Sequence, residues 1–376
     1  MKIGYITESL NEPTTGIARY TLELLKAMQA NSDNEFVCLN YKELPELKSF
    51  EQRVIPNPYK WLLKTHLYYP HMINSKKLYD LDVIHNPAQI PTYFTPPKPY
   101  VITIHDLSPL LTPEAHKFGK RFIYKKLWPK TFATAKKIIA VSKTTEKTLH
   151  ELYPKTKNKT AVVYEALPTK LASAEPDSSL MQKVTSKYNL PEKYILSVGS
   201  LTPRKNYEML IRACANLWQQ NKLADTELII VGRKAWRYQN IFKLIKSLNL
   251  EKKVRIIETV TDEELPVFYQ HSSLAVFPSL LEGFGLIVLE AMKFSAPVIV
   301  SKNSSLSEVA GDAALSINPY SISELEDAIV RIFENETLRH DLIAKGLTRI
   351  NDFSWQKAAT ETMAIYKNVY ENSPSK

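Results

Sequence analysis

The chain has 376 residues, of which 44% are hydrophobic and 23% charged. That composition excludes a disordered or collagen-like polymer and allows two or three ordinary domains. The formal net charge of +10 lies wholly in residues 1–170, which hold 25 Lys and Arg against 15 Asp and Glu, whereas residues 171–376 hold 24 of each. A basic half points either to an anionic partner or to a solvated basic face. No stretch reaches the roughly 18 uncharged apolar residues of a membrane span, and the start MKIGYITESL lacks a secretory apolar run. Cys38 and Cys214 are too isolated for a disulfide framework or a zinc site, so a reducing cytosol is expected.

In chain order, Lys2–Thr7 (KIGYIT) reads as a buried strand, Glu8–Gly16 as a polar loop and Ile17–Gln29 as a helix with apolar residues at helical spacing. Phe36–Leu39, Val83–His85, Val101–His105, Lys137–Val141 and Ala161–Tyr164 read as further strands. Strands separated by helical patterns imply parallel βαβ units. From Leu167 to Leu190 the text turns polar and reads as a linker leading into a short helix. The same architecture then restarts. Tyr194–Val198, Glu227–Val231, Val254–Ile257, Leu274–Phe277 and Pro297–Val300 are predicted strands. Helices are predicted from about Tyr207 and over Tyr238–Leu248, Glu263–Gln270, Leu286–Met292, Ser323–Phe333 and Trp355–Tyr370. The expected fold is α/β, with two Rossmann-like domains whose parallel sheets face each other across a cleft. Ligands in such sheets bind outside the carboxyl ends of the strands. The expected boundaries are 1–170, a linker 171–190, 191–354, and a C-terminal helix 355–376 crossing back to the first domain.

Four segments carry the chemistry. In Ser279–Met292 (SLLEGFGLIVLEAM), Glu282 and Glu290 have seven residues between them, and Gly283 and Gly285 flank Phe284. Glycines admit a ligand close to the backbone. If Leu286 starts a helix, its N–H groups form an anion site, with Glu290 one turn inside and Glu282 free to accept from sugar hydroxyls. An ordinary turn and helix start would show the same residues. In Ser197–Asn206 (SVGSLTPRKN), Gly199 follows a strand, and Arg204 and Lys205 precede a helix, where paired cations oppose the macrodipole unless an anion such as a diphosphate compensates. Solvated surface cations are the alternative. Gly16 opens the first helix where Rossmann-like folds cradle phosphate, or merely where a helix starts. His105, in VITIHD, ends a strand and suits a ligand site or a satisfied core position. Asp80-Leu81-Asp82 spells a metal-binding D-x-D but precedes its strand, at the wrong end of the sheet. No G-x-G-x-x-G is present, so dinucleotide binding is not expected.

PRKN, LEGFGLIVLEAM, IHD and the GIARYT helix together resemble retaining glycosyltransferases of family 4, of the GT-B fold, and most of all the mannosyltransferase-like branch that builds bacterial polysaccharides. The resemblance runs from GIARYTLEL to FSWQKAATETMAIY. It implies transfer of a mannose- or glucose-type hexose from a nucleotide diphosphate sugar, UDP- or GDP-linked, with retention. By motif match Arg204 and Lys205 would hold the diphosphate, beside the strand-end glycine Gly199. Glu282 and the backbone of Gly283, Phe284 and Gly285, at the start of the helix opened by Leu286, would hold the sugar. Glu290 would hold the ribose, Gly16 the distal phosphate, and His105 the sugar near the reacting centre. Of these, His105, Glu282, Arg204 and Lys205 are the catalytic candidates. The sequence departs from the family pattern at Thr15-Gly16 (usually a glycine pair), Glu258 (commonly Gly, near the base), Ile287 (frequently Pro) and Ser295 (frequently Gly).

Cationic side chains aimed at a departing diphosphate make a metal unnecessary, so neither metal nor other cofactor is expected. Retention normally asks for two carboxylates about 5 Å apart. With no second acid evident, front-side attack is favoured, the leaving phosphate taking the acceptor's proton. The acceptor, a glycan, a lipid-linked sugar or a small molecule, is expected on the basic first half. There Lys117–Lys130 (KFGKRFIYKKLWPK) interleaves cations with Phe118, Phe122, Ile123, Tyr124, Leu127 and Trp128, and PYKWLLKTHLYYPHMINSKK is similar. Such segments suit an anionic membrane surface or core packing with a basic outer face. The expected location is cytoplasmic, with peripheral attachment to the inner face of the plasma membrane. A nucleotide-sugar epimerase or phosphorylase on the same fold, and a non-catalytic sugar-nucleotide sensor, are the alternatives; no nucleic-acid partner is expected.

Overall fold

The computed structural model describes residues 1–11, 15–55, 75–91, 95–112 and 118–373, with side chains from 121 onward in the last range. The chain forms two compact units, one built on Met1–Leu111, Lys117–Pro168 and Ser354–Lys376, the other on Thr169–Phe353.

The first unit is a seven-stranded parallel sheet of β1 (Lys2–Ile6), β2 (Glu35–Asn40), β3 (Glu51–Val54), β4 (Val83–Asn86), β5 (Tyr100–Ile104), β6 (Lys137–Ala140) and β7 (Thr160–Val162), in the order β3-β2-β1-β4-β5-β6-β7. Its central strands are buried along their length, as parallel strands are when helices cover both faces, although β4 carries His85 and Asn86. Helix α1 (Gly16–Ala30) is capped by Thr15, whose side chain accepts from the N–H of Ala18 at 3.2 Å. Helices α2 (Phe118–Thr134) and α3 (Lys143–Leu152) follow. In α2, Leu127 and Trp128 are core residues and Tyr124 packs edge-on against Trp128 at 4.6 Å. Part of the expected aromatic stripe is therefore packing, and the exposed face retains Arg121, Phe122, Lys125, Lys126 and Lys130. Lys117 and the side chains of Phe118 and Lys120 lie outside the described residues, as does 58–74 of the second basic segment.

The second unit is a six-stranded parallel sheet of β8 (Tyr194–Val198), β9 (Glu227–Val231), β10 (Val254–Ile257), β11 (Leu274–Phe277), β12 (Val298–Ser301) and β13 (Leu315–Ile317), in the order β10-β9-β8-β11-β12-β13. Besides the single turn Thr169–Ala172, its helices are α4 (Ser178–Tyr188), α5 (Tyr207–Gln219), α6 (Gln239–Ser247), α7 (Leu265–His271), α8 (Leu286–Lys293), α9 (Ser305–Ala310), α10 (Ile322–Glu334) and α11 (Glu336–Arg349). Within 171–190, α4 is fastened to α7: Lys187 pairs with Glu264 at 2.6 Å and Tyr188 packs on Phe268. Just after α8, Ser295 stands at φ +60°, so the residue in place of a frequent glycine occupies a left-handed position that glycine would fill without strain.

Helix α12 (Trp355–Glu371) belongs to the first unit, where it packs on α1. Trp355 donates to the carbonyl of Leu167 at 2.8 Å, and Tyr366 is hydrogen-bonded to Nδ1 of His85 at 2.5 Å. Burial, with the nearby His105 adding to it, lowers the His85 pKa to about 3. The ring is thus neutral, hydrogen-bonded to Tyr366 on one side and to Thr103 at 2.8 Å on the other.

Both sheets reverse strand order beside their first strand, at β1/β4 and at β8/β11. In doubly wound sheets this switch point opens a crevice at the carboxyl ends of the strands, where ligands bind.

Candidate functional site

In the second unit the loops after β8 and β11 meet at the switch point. The first makes a short turn, Pro203–Lys205, closed by Asn206 in the left-handed region at φ +58°. The Asn206 side chain donates to the carbonyls of Pro278 at 3.1 Å and Pro319 at 2.8 Å, and Leu280 N–H donates to the Arg204 carbonyl at 2.8 Å. The two loops are therefore bolted together. Glu282, 77 residues beyond Lys205 in the chain, is thereby brought against both cations. Its Oε2 lies 2.6 Å from Arg204 Nη1 and its Oε1 2.7 Å from Lys205 Nζ.

Lys205 is buried at 9% exposure and Glu282 nearly so, whereas the Arg204 side chain keeps 21% of its surface open. Burial opposes the charge on Glu282, but the Arg204 and Lys205 cations outweigh it and hold the carboxyl down at about 2. Burial also pulls Lys205 below its ordinary value, against the attraction of Glu282. Two cations and one carboxylate leave a net positive charge. A diphosphate would neutralise it, taking a guanidinium fork and an ammonium already oriented by the carboxylate.

Two glycines set the lysine's place. Gly199 has φ +143°, and a Cβ there would stand 2.7 Å from Lys205 Cε; its carbonyl accepts from the Tyr207 hydroxyl at 2.7 Å. A Cβ on Gly232, at the end of β9, would lie 1.9 Å from that same carbonyl oxygen. Gly232 was not singled out from the sequence, although VG after ELII repeats the VG after YILS. We predict that Gly232→Ala, by forcing backbone rather than a side chain aside, costs about 1–3 kcal/mol of stability in urea unfolding and weakens nucleotide binding in the same variant.

Helix α8 begins directly at Leu286 with Gly285, at φ +120°, as a cap that offers no side chain to the first-turn N–H groups. Phe284 is buried edge-on against Phe353 at 5.6 Å, so this segment presents backbone rather than a ring. Glu290 is buried within α8, and its Oε2 accepts from the Tyr269 hydroxyl at 2.9 Å. Tyr269, absent from the sequence reading, fixes that carboxylate.

In the first unit, no described atom stands within 4 Å of a Cβ built on Gly16, so packing does not require glycine at this helix start. His105, just past β5, is buried and clamped: Nε2 lies 2.7 Å from the Pro87 carbonyl and Nδ1 3.1 Å from Oε1 of Glu165, with Tyr20 edge-on at 4.7 Å. A carbonyl only accepts, so Nε2 is the nitrogen that donates to Pro87. Both ring nitrogens are thus engaged within the unit. Glu165, a buried acid just past β7, is a residue the sequence reading missed.

The D-x-D is a structural feature. Asp80 pairs with Arg53 at 2.6 Å, whose hydrogen bond holds its carboxyl well below the usual range, and Asp82 accepts from the N–H of Lys2 at 2.8 Å. At the position where glycine is common, Glu258 pairs with Lys234 at 2.5 Å.

With this geometry in hand, the family is plain. The model for Glycosyltransferase Family 4 matches residues 14–171 and that for glycosyl transferases group 1 matches 182–349. The chain belongs to the family 4 glycosyltransferases, with the GT-B class of Rossmann-like domains. Among its relatives, O-antigen chain mannosyltransferase B of Escherichia coli is 28% identical over 98% of this chain and 100% of its own length. Among solved structures, sucrose-phosphate synthase of Thermosynechococcus elongatus shares the fold with a TM-score of 0.76, at 20% identity over 99% of this chain and 100% of its own. Anabaena HepE, in a complex with UDP and glucose, does so with a TM-score of 0.72, at 18% identity over 98% and 99%.

Proposed function

We propose that this glycosyltransferase moves a mannose-type hexose from a nucleotide diphosphate sugar to a growing glycan, with retention at the anomeric carbon and without a metal. The observation that carries the reading is the largely buried Arg204–Lys205–Glu282 triad, with the Arg204 side chain partly open, beside the start of α8, which no side chain caps. As the bond from the anomeric carbon to phosphate breaks, charge grows on the departing diphosphate, and the two cations and the α8 N–H groups stabilise it there. Glu282 keeps the cations in place and accepts from the sugar's hydroxyls; Glu290, steadied by Tyr269, accepts from the ribose. Gly16 lets the distal phosphate approach the backbone. The acceptor attacks on the side the diphosphate leaves, and a phosphate oxygen takes its proton. The sugar is assigned from the mannosyltransferase relative, and a nucleotide diphosphate sugar as the donor agrees with the UDP and glucose held by HepE.

The clamped ring of His105 suits a positioning role, presenting a polar wall to the sugar rather than acting as a base. The exposed stripe Arg121, Phe122, Lys125, Lys126 and Lys130, on a half with all the net charge, supports docking of the first unit on an anionic lipid surface that carries the acceptor. No described helix is long and apolar enough to cross a membrane.

The test is a donor panel. The enzyme is incubated with GDP-mannose, GDP-glucose, UDP-glucose or UDP-galactose and an α-mannoside acceptor in excess EDTA, and the product is identified by mass spectrometry and its anomeric configuration by NMR. One donor should yield an α-linked product in EDTA. A β-linked product, turnover restored only by Mg2+ or Mn2+, or phosphate-dependent release of the sugar without transfer would each sink the corresponding part of the reading.

A further inference from the structure

The counterpart in the first unit of the loop bearing Glu282 is the loop after β4, since β1/β4 is that sheet's switch point as β8/β11 is the other's. This loop, Pro87–Ile90, is built rigidly. The buried Asn86 side chain donates to the Ile90 carbonyl at 2.9 Å and to the Tyr100 hydroxyl at 2.8 Å, and its own oxygen accepts from Ala88 N–H at 3.1 Å. The Pro87 carbonyl meets the His105 ring. Between them Gln89 is held at φ +49°, a left-handed conformation that costs a residue with a Cβ about 1–2 kcal/mol.

That strain directs one amide. Gln89 Oε1 accepts from the backbone N–H of His105 at 2.7 Å and of Asp106 at 3.1 Å. Two N–H donors fix which end of the amide is oxygen, so the NH2 end points the other way. Gln89 is 6% exposed, and its Nε2, which meets no acceptor among the described residues, is the part of the side chain left open to solvent. A strained backbone, an oriented amide and two N–H donors without a partner among the described residues thus come together at the ligand end of a switch point.

We propose that Gln89 Nε2 donates to a hydroxyl oxygen of the acceptor sugar and so selects which acceptor the enzyme extends. The assignment to the acceptor rests on the reading of the first unit as the acceptor's. Nothing in the sequence marks Gln89, which lies in an unremarked NPAQIP loop between two strands.

The test is a cycle between protein and ligand. Methyl α-mannoside and its 2-, 3-, 4- and 6-deoxy analogues are titrated by NMR, in the presence of GDP, into wild type and Gln89→Met. In wild type one deoxy analogue should bind about ten-fold more weakly than the parent. In Gln89→Met the parent should be weakened by the same factor, with no further loss on that deoxygenation, while calorimetric GDP affinity is unchanged. A merely structural role would weaken all the sugars alike, and equal losses in both proteins at every position would overturn the proposal, as would a fall in GDP affinity. Wild type provides a reading that needs no variant: the side-chain NH2 resonances of Gln89 should shift on addition of methyl α-mannoside, and unshifted resonances at saturation would refute the contact. Failure of the functional reading looks different, as absence of transfer from every sugar nucleotide.

Discussion

Glu282→Gln should be destabilised by about 3–5 kcal/mol and should transfer sugar far more slowly, yet bind free nucleoside diphosphate at least as well as wild type. The stability loss follows because the change removes the only negative member of a largely buried triad and leaves Arg204 and Lys205 facing each other without it. The transfer loss follows because a neutral amide accepts more weakly from sugar hydroxyls and no longer holds both cations in register. Free diphosphate binding is spared because an incoming anion no longer competes with a carboxylate for the same donors. Calorimetric titration with GDP and UDP, urea unfolding and initial rates separate the three effects. The pH dependence carries the same signature. The Glu282 carboxyl is held at about 2, below its ordinary value near 4.3. Its contribution is therefore complete above that ordinary value and disappears as the pH falls through about 2. Wild type should lose stability over that acid range, and Glu282→Gln should lose less. If Glu282→Gln instead abolishes diphosphate binding while remaining folded, the carboxylate has been given the wrong partner.

Lys205→Ala should show the opposite pattern, with diphosphate binding and transfer lost together. It removes a charge-assisted donor preorganised by Gly199 below and Glu282 beside it, a change worth about 2–4 kcal/mol of transition-state stabilisation, or roughly 30- to 1000-fold in kcat/KM. Arg204→Ala should fall in the same range. It also gives up contacts to the Leu281 carbonyl and Glu282, so it should loosen the loop after β11 as well. Near wild-type turnover in both variants would mean that the diphosphate is held elsewhere.

How far the sequence carried this account depends on what each element buries. Parallel strands covered on both faces are continuous apolar runs, and YILSV, ELIIV and LAVF were read with their observed ends. The edge strand β3, EQRV, is polar and was missed, as was the three-residue β13. Helix α11 escaped because its surface is mostly charged and only Leu342 and Gly346 are buried. At the site, strand-end position and the RK and E-x7-E spacings pointed to two loops that the fold brings together, and the resemblance supplied the roles. What pattern could not show was pairing across 77 residues. That Glu282 closes on Arg204 and Lys205, that Glu165 meets His105 60 residues away, and that Gln89 grips the amides of His105 and Asp106 are consequences of strand order. Strand order places loops side by side that the chain keeps far apart. Phe284 is expected to act through its backbone, and its ring is packed on Phe353.

The most direct test of the central claim is a crystal structure of the enzyme with its preferred nucleoside diphosphate bound in the presence of EDTA. The account predicts diphosphate oxygens within hydrogen-bond distance of Arg204 Nη1, Lys205 Nζ and the first-turn N–H groups of α8, with Glu290 on the ribose. A diphosphate bound away from the triad, or seated through a metal ion at Asp80 and Asp82, would contradict it.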